Sequence, residues 1–145
     1  MDEIPGPADW VGCTSDPDCY LVYEKFRGKS NDDIQGLLRE NFIMRCMDWG
    51  LMPSKPFDYY FCGFQTYLLS KKNDPEELGF SIARVLDAID SHFDDHPDMC
   101  VRFWRGHELS IQLLEGMMDD IRSTQDVREE ISRRILDIRG LLSKK

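Results

Sequence analysis

Few side-chain groupings in the 145-residue chain have types and spacing suited to chemistry, and each lacks a part that the chemistry requires. The nearest approach to a metal site is His92-Phe93-Asp94-Asp95-His96. Histidines four apart share a helix face and carboxylates stand beside them, but a His-Glu-x-x-His site needs glutamate directly after the first histidine, where Phe93 stands. Pro97 places His96 at a helix end, where the negative end of the dipole suits an imidazolium, and His92 falls on a solvated flank. Arg27-Gly28-Lys29-Ser30 matches the tail of a phosphate-binding loop. The full motif needs a second glycine five positions before Gly28, where Tyr23 stands, and no buried strand precedes it. Neither a paired-glycine dinucleotide fingerprint nor a Gly-x-Ser-x-Gly elbow occurs. Cys100 and His107 pair on paper as nucleophile and base, without an orienting third group or an oxyanion site. Next to the seam Val101–Trp104–Ile111, His107 reads instead as a hydrogen-bonded, partly buried histidine. The cysteines at 13, 19, 46, 62 and 100 form no Cys-x-x-Cys pair. Cys46, Cys62 and Cys100 are expected to be small core hydrophobes of a reduced, cytoplasmic protein, and a Cys13–Cys19 disulfide stays open. No catalytic residue, cofactor or metal is expected.

The elements that would position any site read as helices. Residues 1–15 hold two prolines and two glycines and predict an irregular arm, pinned by Trp10 and Val11. Asp16-Pro17-Asp18 supplies a cap, a first-turn proline and a first-turn acid, and Gly28 closes that segment. Ser30-Asn31-Asp32-Asp33 resembles a capping box, and Ile34, Leu38, Phe42, Cys46 and Trp49 recur at helical steps up to Gly50. Residues 57–69 are rich in aromatics, which favour strand by propensity. Yet Phe57, Tyr60, Phe64, Tyr67 and Leu68 fit one helical face, Pro56 suits a first turn and Lys71-Lys72-Asn73 a helix end, so the spacing predicts helix. Asp74-Pro75-Glu76-Glu77 opens a helix whose stripe runs Leu78, Ile82, Val85, Leu86, Ile89, Phe93. Pro97 opens the next, with a seam through Val101, Trp104, Ile111, Leu114, Met118 and Ile121. Ser123-Thr124-Gln125-Asp126 opens the last, with Val127, Ile131, Ile135, Ile138 and Leu142. These signals predict an all-α single domain over 1–145: a compact bundle of five or six helices, with the first helices over 16–72 and a three-helix antiparallel unit over 74–145. Gly36, Gly63, Gly79, Gly106, Gly116 and Gly140 fall inside predicted helices, which signals close helix crossings or fraying ends.

Charge narrows the classes of function. The chain carries 18 Lys and Arg against 27 Asp and Glu, a net −9. That disfavours direct binding to nucleic acid, whose affinity comes from neutralising phosphates, and to anionic membranes. No apolar run approaches the ~20 residues of a membrane span, and the acidic, proline-containing start Met1–Pro7 is unlike a secretion signal. Twelve acids and three arginines lie within 74–120, so that this segment alone carries −9. On the helix opened by Asp74, residues Glu76, Asp87, Asp90 and Asp94 fall on one flank, and Asp95, Asp98, Asp119 and Asp120 add a second cluster whose place relative to the first the spacing does not fix. Asp87–Asp90 and Asp90–Asp94 are like-charged neighbours at i,i+3 and i,i+4, which costs a few tenths of a kcal/mol each. A solubilising surface is the plain explanation; a docking face for a basic protein is the functional one. The expected partner-binding residues are Glu76, Asp87, Asp90, Asp94, Asp95 and Asp98, with an exposed aromatic, Trp104 or Phe80, as anchor. On the last helix Glu129–Arg133 and Glu130–Arg134 are expected to pair at i,i+4.

Residues 78–122, through Leu78-Gly79-Phe80-Ser81-Ile82-Ala83-Arg84-Val85-Leu86-Asp87, His96-Pro97-Asp98 and His107-Glu108-Leu109-Ser110-Ile111-Gln112-Leu113-Leu114, resemble small helical immunity proteins of secreted bacterial toxins. The shared pattern is a helix, a short proline turn and a second helix rich in Glu and Gln. It carries over no individual functional residue. The resemblance implies a cytoplasmic, non-enzymatic inhibitor that occludes the basic cleft of a cognate toxin. Two other classes fit the acidity: a phage-type mimic of nucleic acid that inhibits a DNA-binding defence protein, and an acidic secretion chaperone or adaptor.

Overall fold

The structure is a computed structural model, and it describes residues 3–71, 74–94, 96–121 and 125–143. The described residues form helices and no strands. The chain divides into two compact units, Met1–Tyr67 and Leu68–Lys145.

In the first unit the arm holds two single-turn 3-10 helices, Pro7–Trp10 and Cys13–Ser15. Trp10 is buried and does anchor the arm, whereas Val11, expected to share that role, is 78% exposed. The Gly6 N–H donates to the Asp9 carboxylate (2.8 Å), which also pairs with Lys55 (3.3 Å). Cys13 and Cys19 are joined in a disulfide across the next turn, with Cα atoms 4.9 Å apart. α1 (Pro17–Phe26) follows, and the Asp16 carboxylate accepts from the Asp18 and Cys19 amides (2.9 and 3.4 Å) as expected of its cap. Gly28, at φ +70°, turns the chain out of α1 in the left-handed region that glycine enters without steric cost.

The run from 30 to 50, expected as one helix, is two: α2 (Gln35–Glu40) and α3 (Phe42–Gly50). Ser30 and Asp33 make the reciprocal capping contacts (2.9 and 3.1 Å), but residues 31–34 are a turn and the helix begins after it. The break falls at Asn41, whose extended backbone (φ −159°, ψ 84°) ends α2 and whose carboxamide oxygen caps α3 by accepting from Met44 N–H (3.2 Å). Asn is as good a cap as Ser or Asp. The whole apolar stripe is nonetheless buried, from Ile34 to Trp49.

α4 (Ser54–Ser70) settles the aromatic segment as helix. Phe57, Tyr60, Phe61, Phe64, Tyr67 and Leu68 are all buried. Their burial contributes about 2 kcal/mol per side chain, which outweighs a strand preference that reflects packing context as much as backbone. Trp49 lies parallel to Phe64 (4.6 Å) and Phe61 (5.5 Å), and Phe42 stacks on Tyr67 (4.3 Å).

The second unit contains α5 (Pro75–His92), α6 (Pro97–Gly106), α7 (Glu108–Met117), a 3-10 turn at Met118–Asp120 and α8 (Gln125–Ser143). α8 packs against α5, α6 and α7, so the last helix is the common partner of the unit. Four helices thus stand where three were expected, and eight α-helices are described in place of five or six. The extra break is at His107, whose backbone (φ −128°, ψ 37°) leaves the helical region right after Gly106, the poorest helix former but proline. The break resets the seam. Trp104, Ile111, Leu114 and Ile121 are buried as expected, but Met117 takes the buried place assigned to Met118, and Val101 is half-buried. The start expected at Ser123-Thr124 and the helix end expected at Lys72-Asn73 lie outside the described residues.

Candidate functional site

Asp74 caps α5 by accepting from the Glu77 amide (3.4 Å), and the buried stripe Leu78–Ile82–Val85–Leu86–Ile89 turns the opposite side of the helix to water. At 3.6 residues per turn, that outer side carries Glu76, Phe80, Arg84 and Asp87, all exposed, with Asp90 beside them. Asp94, on the turn after α5, and Asp98, in the first turn of α6, are also exposed; Asp95 lies outside the described residues.

Two carboxylates on this flank serve a partner within the chain. Arg134 of α8 donates to Asp87 (2.8 Å) and to Asp90 (2.6 Å), one guanidinium nitrogen to each. Asp87 also pairs with Arg84 (3.4 Å). Partial burial of Arg134 works against its charge, but the hydrogen bonds to Asp87 and Asp90 outweigh it and raise its pKa above the ordinary value. The like-charged Asp87–Asp90 pair therefore has a structural cause. Two acids at i,i+3 present a fork that one arginine bridges, which ties α5 to α8. Arg134 was expected to pair with Glu130 along its own helix; the contact across to α5 was not foreseen.

Trp104 does not anchor a surface. It is 2% exposed, packed edge-on to Phe103 (5.3 Å), and lines a cavity of about 140 Å³ with Leu86, Asp90, Cys100 and Arg134. The seam role that the sequence also assigns to it prevails, because burying an indole among α6 neighbours is worth more than exposing it. Phe80 is the aromatic that stands out, at 58% exposure on the acidic flank.

Among the described residues no group of three or more His, Cys, Asp and Glu side chains converges to hold a metal ion. His92 is half-buried with its ring edge-on to Phe93 (4.7 Å), and His107 lies against Phe103 (4.6 Å). Burial, with the charge of Asp90, pushes the Cys100 thiol up, away from the thiolate that a nucleophile needs. Cys46 is in the core as expected, but Cys62 is exposed on α4 and Cys100 only half-buried. Helix rotation explains Cys62, since the face of α4 that points inward is already filled by Phe57, Phe61, Phe64 and Leu68.

One surface the sequence analysis missed is on α3 and the turn that follows it, where Ile43, Met47 and then Leu51 are exposed at four-residue steps, out of register with the buried stripe. The signal was present as a second apolar periodicity. Among the described residues no helix is long and apolar enough to cross a membrane. No family model matches the chain, and no curated protein or solved structure does either.

Proposed function

We propose that this protein is a non-enzymatic, protein-binding inhibitor of the immunity-protein kind, which docks a basic partner such as a cognate toxin or effector on the outer side of α5 and occludes its cleft. The observation that carries this reading is Phe80, a large aromatic held in water between Glu76 and Asp87. Interfaces concentrate their energy in an aromatic anchor inside a polar rim, while the rim charges steer the encounter. In this reading Glu76 on α5 and the exposed Asp94 and Asp98 beyond its end supply the steering charge, and Asp87 and Asp90 mainly hold Arg134. Cytoplasmic action belongs to the same reading. The Cys13–Cys19 disulfide weighs against it, because such bonds persist in oxidising compartments. Trapping the thiols in intact cells decides the compartment.

The test pairs Phe80→Ala with Asp94→Lys, which spare the Arg134 clamp, and assays them against a basic partner once one is identified among co-encoded proteins. The double variant should fold with an unchanged Tm, bind at least about tenfold more weakly and lose protection. Full affinity and full protection in the folded variant would sink the proposal.

A further inference from the structure

The outer side of α3 carries an apolar row in water. Ile43, Met47 and Leu51 follow one another at four-residue steps with 58%, 61% and 53% of their surface exposed, and Met44 stands beside them. α1 packs alongside, and its exposed Leu21 adds a fifth apolar side chain. Two contacts fix how the helices meet. The Leu51 carbonyl lies 3.5 Å from the Cys19 sulfur, and the buried Asp48 carboxylate pairs with Arg45 (3.0 Å) and with Lys25 of α1 (3.6 Å). Lys25 therefore points towards α3, and Leu21, one turn earlier, shares its side of α1. The five side chains sit on two helices that are pinned to each other.

The charges around this row cancel. Asp18 and Lys25 flank Leu21, Arg39 and Glu40 lead into α3, and Arg45 and Asp48 lie within it, so each acid is matched by a base. A two-fold interface sets a patch against its own copy, so any net charge on the patch repels itself and a neutral one escapes that cost. The chain as a whole stands at −9, but residues 74–120 carry that sum and belong to the second unit. A strongly charged foreign partner finds nothing on this face to steer it. Spacing points the same way. Met47 stands four residues after Ile43 and four before Leu51, so a two-fold axis through Met47 maps the row onto itself with the two α3 helices antiparallel. In area, the five side chains expose several hundred Å², the apolar share of an interface that buries roughly 800 Å² per copy, a little over half of it non-polar.

We propose that two copies of this chain pair through the α1–α3 face of the first unit, as a two-fold dimer with Met47 at the axis. Ile43 then meets Leu51 of the partner subunit, and Met47 meets its own counterpart. Met44 and Met47, unbranched and polarizable, fill the gaps that such a crossing leaves. The centre holds aliphatic side chains and no aromatic or arginine anchor, so the association is weak, with a Kd of roughly 10–100 µM. This inference is independent of the docking face on α5.

The experiment is sedimentation equilibrium of the full chain over about 5–500 µM, on samples free of intermolecular disulfide. The mass should rise from 17.0 kDa towards twice that value and stop there. Met47→Glu and Met47→Lys, changes at an exposed position, should each keep the parent's Tm and weaken pairing at least about tenfold. An equimolar mixture of the two variants should pair again, because the axis brings their opposite charges together. Leu136→Glu, at an exposed leucine of the second unit, should pair as the parent does. The proposal is overturned if the parent stays at 17.0 kDa throughout, which would leave the face to a different protein, or if its mass climbs past two copies. It is equally overturned if Met47→Glu pairs as the parent does, if Leu136→Glu weakens pairing as much, or if the mixture stays monomeric.

Discussion

Trp49 and Phe57 meet twice: the Trp49 indole N–H donates to the Phe57 carbonyl at 2.8 Å, and the two rings lie parallel with centroids 4.3 Å apart. One residue lies in the last turn of α3 and the other near the start of α4, so this double contact closes the turn between them. Trp49→Phe keeps the stacking surface and loses the hydrogen bond, which should cost about 1–2 kcal/mol. Trp49→Ala loses both and should cost about 4 kcal/mol. Urea unfolding measures each: a Trp49→Phe variant as stable as the parent would show that the hydrogen bond contributes nothing, and equal losses for the two variants would show the same of the stacking.

The Tyr60 hydroxyl, buried, donates towards the carbonyls of Phe26 (2.7 Å) and Lys29 (2.8 Å), where α1 ends. Burial, followed by the nearby Tyr59 and Asp33, raises its pKa above the ordinary 10.0. The unfolded chain therefore releases this proton first. Stability from Tyr60 is complete below about pH 10 and declines as the pH rises above it. Tyr60→Phe should cost about 1–2 kcal/mol at pH 8, and the gap to the parent should narrow between pH 10 and 11. A gap that stays constant over that interval would refute the assignment.

Gly63 and Gly140 both lie inside helices and should respond to alanine with opposite signs. A Cβ on Gly63 would come within 2.5 Å of Asn31 Oδ1 and 2.7 Å of Ile34 Cδ1, while one on Gly140 would meet nothing within 4 Å. Asn31 and Gln35 are hydrogen-bonded to the Tyr59 and Gly63 carbonyls and have little room to retreat. Gly63→Ala should destabilise by about 1–3 kcal/mol despite better helix propensity, and Gly140→Ala should stabilise by up to about 1 kcal/mol. Thermal midpoints of the two variants compare them directly; a stabilised Gly63→Ala would contradict the close approach.

These elements also show what was legible in the sequence. The stripe Ile34–Leu38–Phe42–Cys46–Trp49 correctly named buried positions, yet said nothing of the break at Asn41, because each short helix keeps its own face inward across a capped joint. Caps and first-turn prolines were readable because they act within four residues. Arg134 was readable only as far as its own helix, and its partners lie 44 and 47 residues away, beyond any spacing rule. Trp104 illustrates the limit for the docking face, since a seam position and an exposed anchor carry the same residue type. Phe80 shared the acidic flank all along, and only its exposure separates it from Trp104.

The Arg134 fork should appear as energetic coupling. In a double-mutant cycle, Arg134→Ala and Asp87→Asn with Asp90→Asn should show a coupling of about 0.5–1 kcal/mol, a value set by the exposure of both acids and reduced in high salt. Strict additivity would mean that the fork adds no stability.

The disulfide makes residues 13–19 a closed covalent ring within the chain. A protease that cuts one peptide bond inside the ring does not separate the arm from α1. The two pieces stay joined through sulfur, so the cut chain still migrates as one band without reductant and as two with it. The arm thus survives a nick as part of the same molecule, and reductant is the agent that releases it.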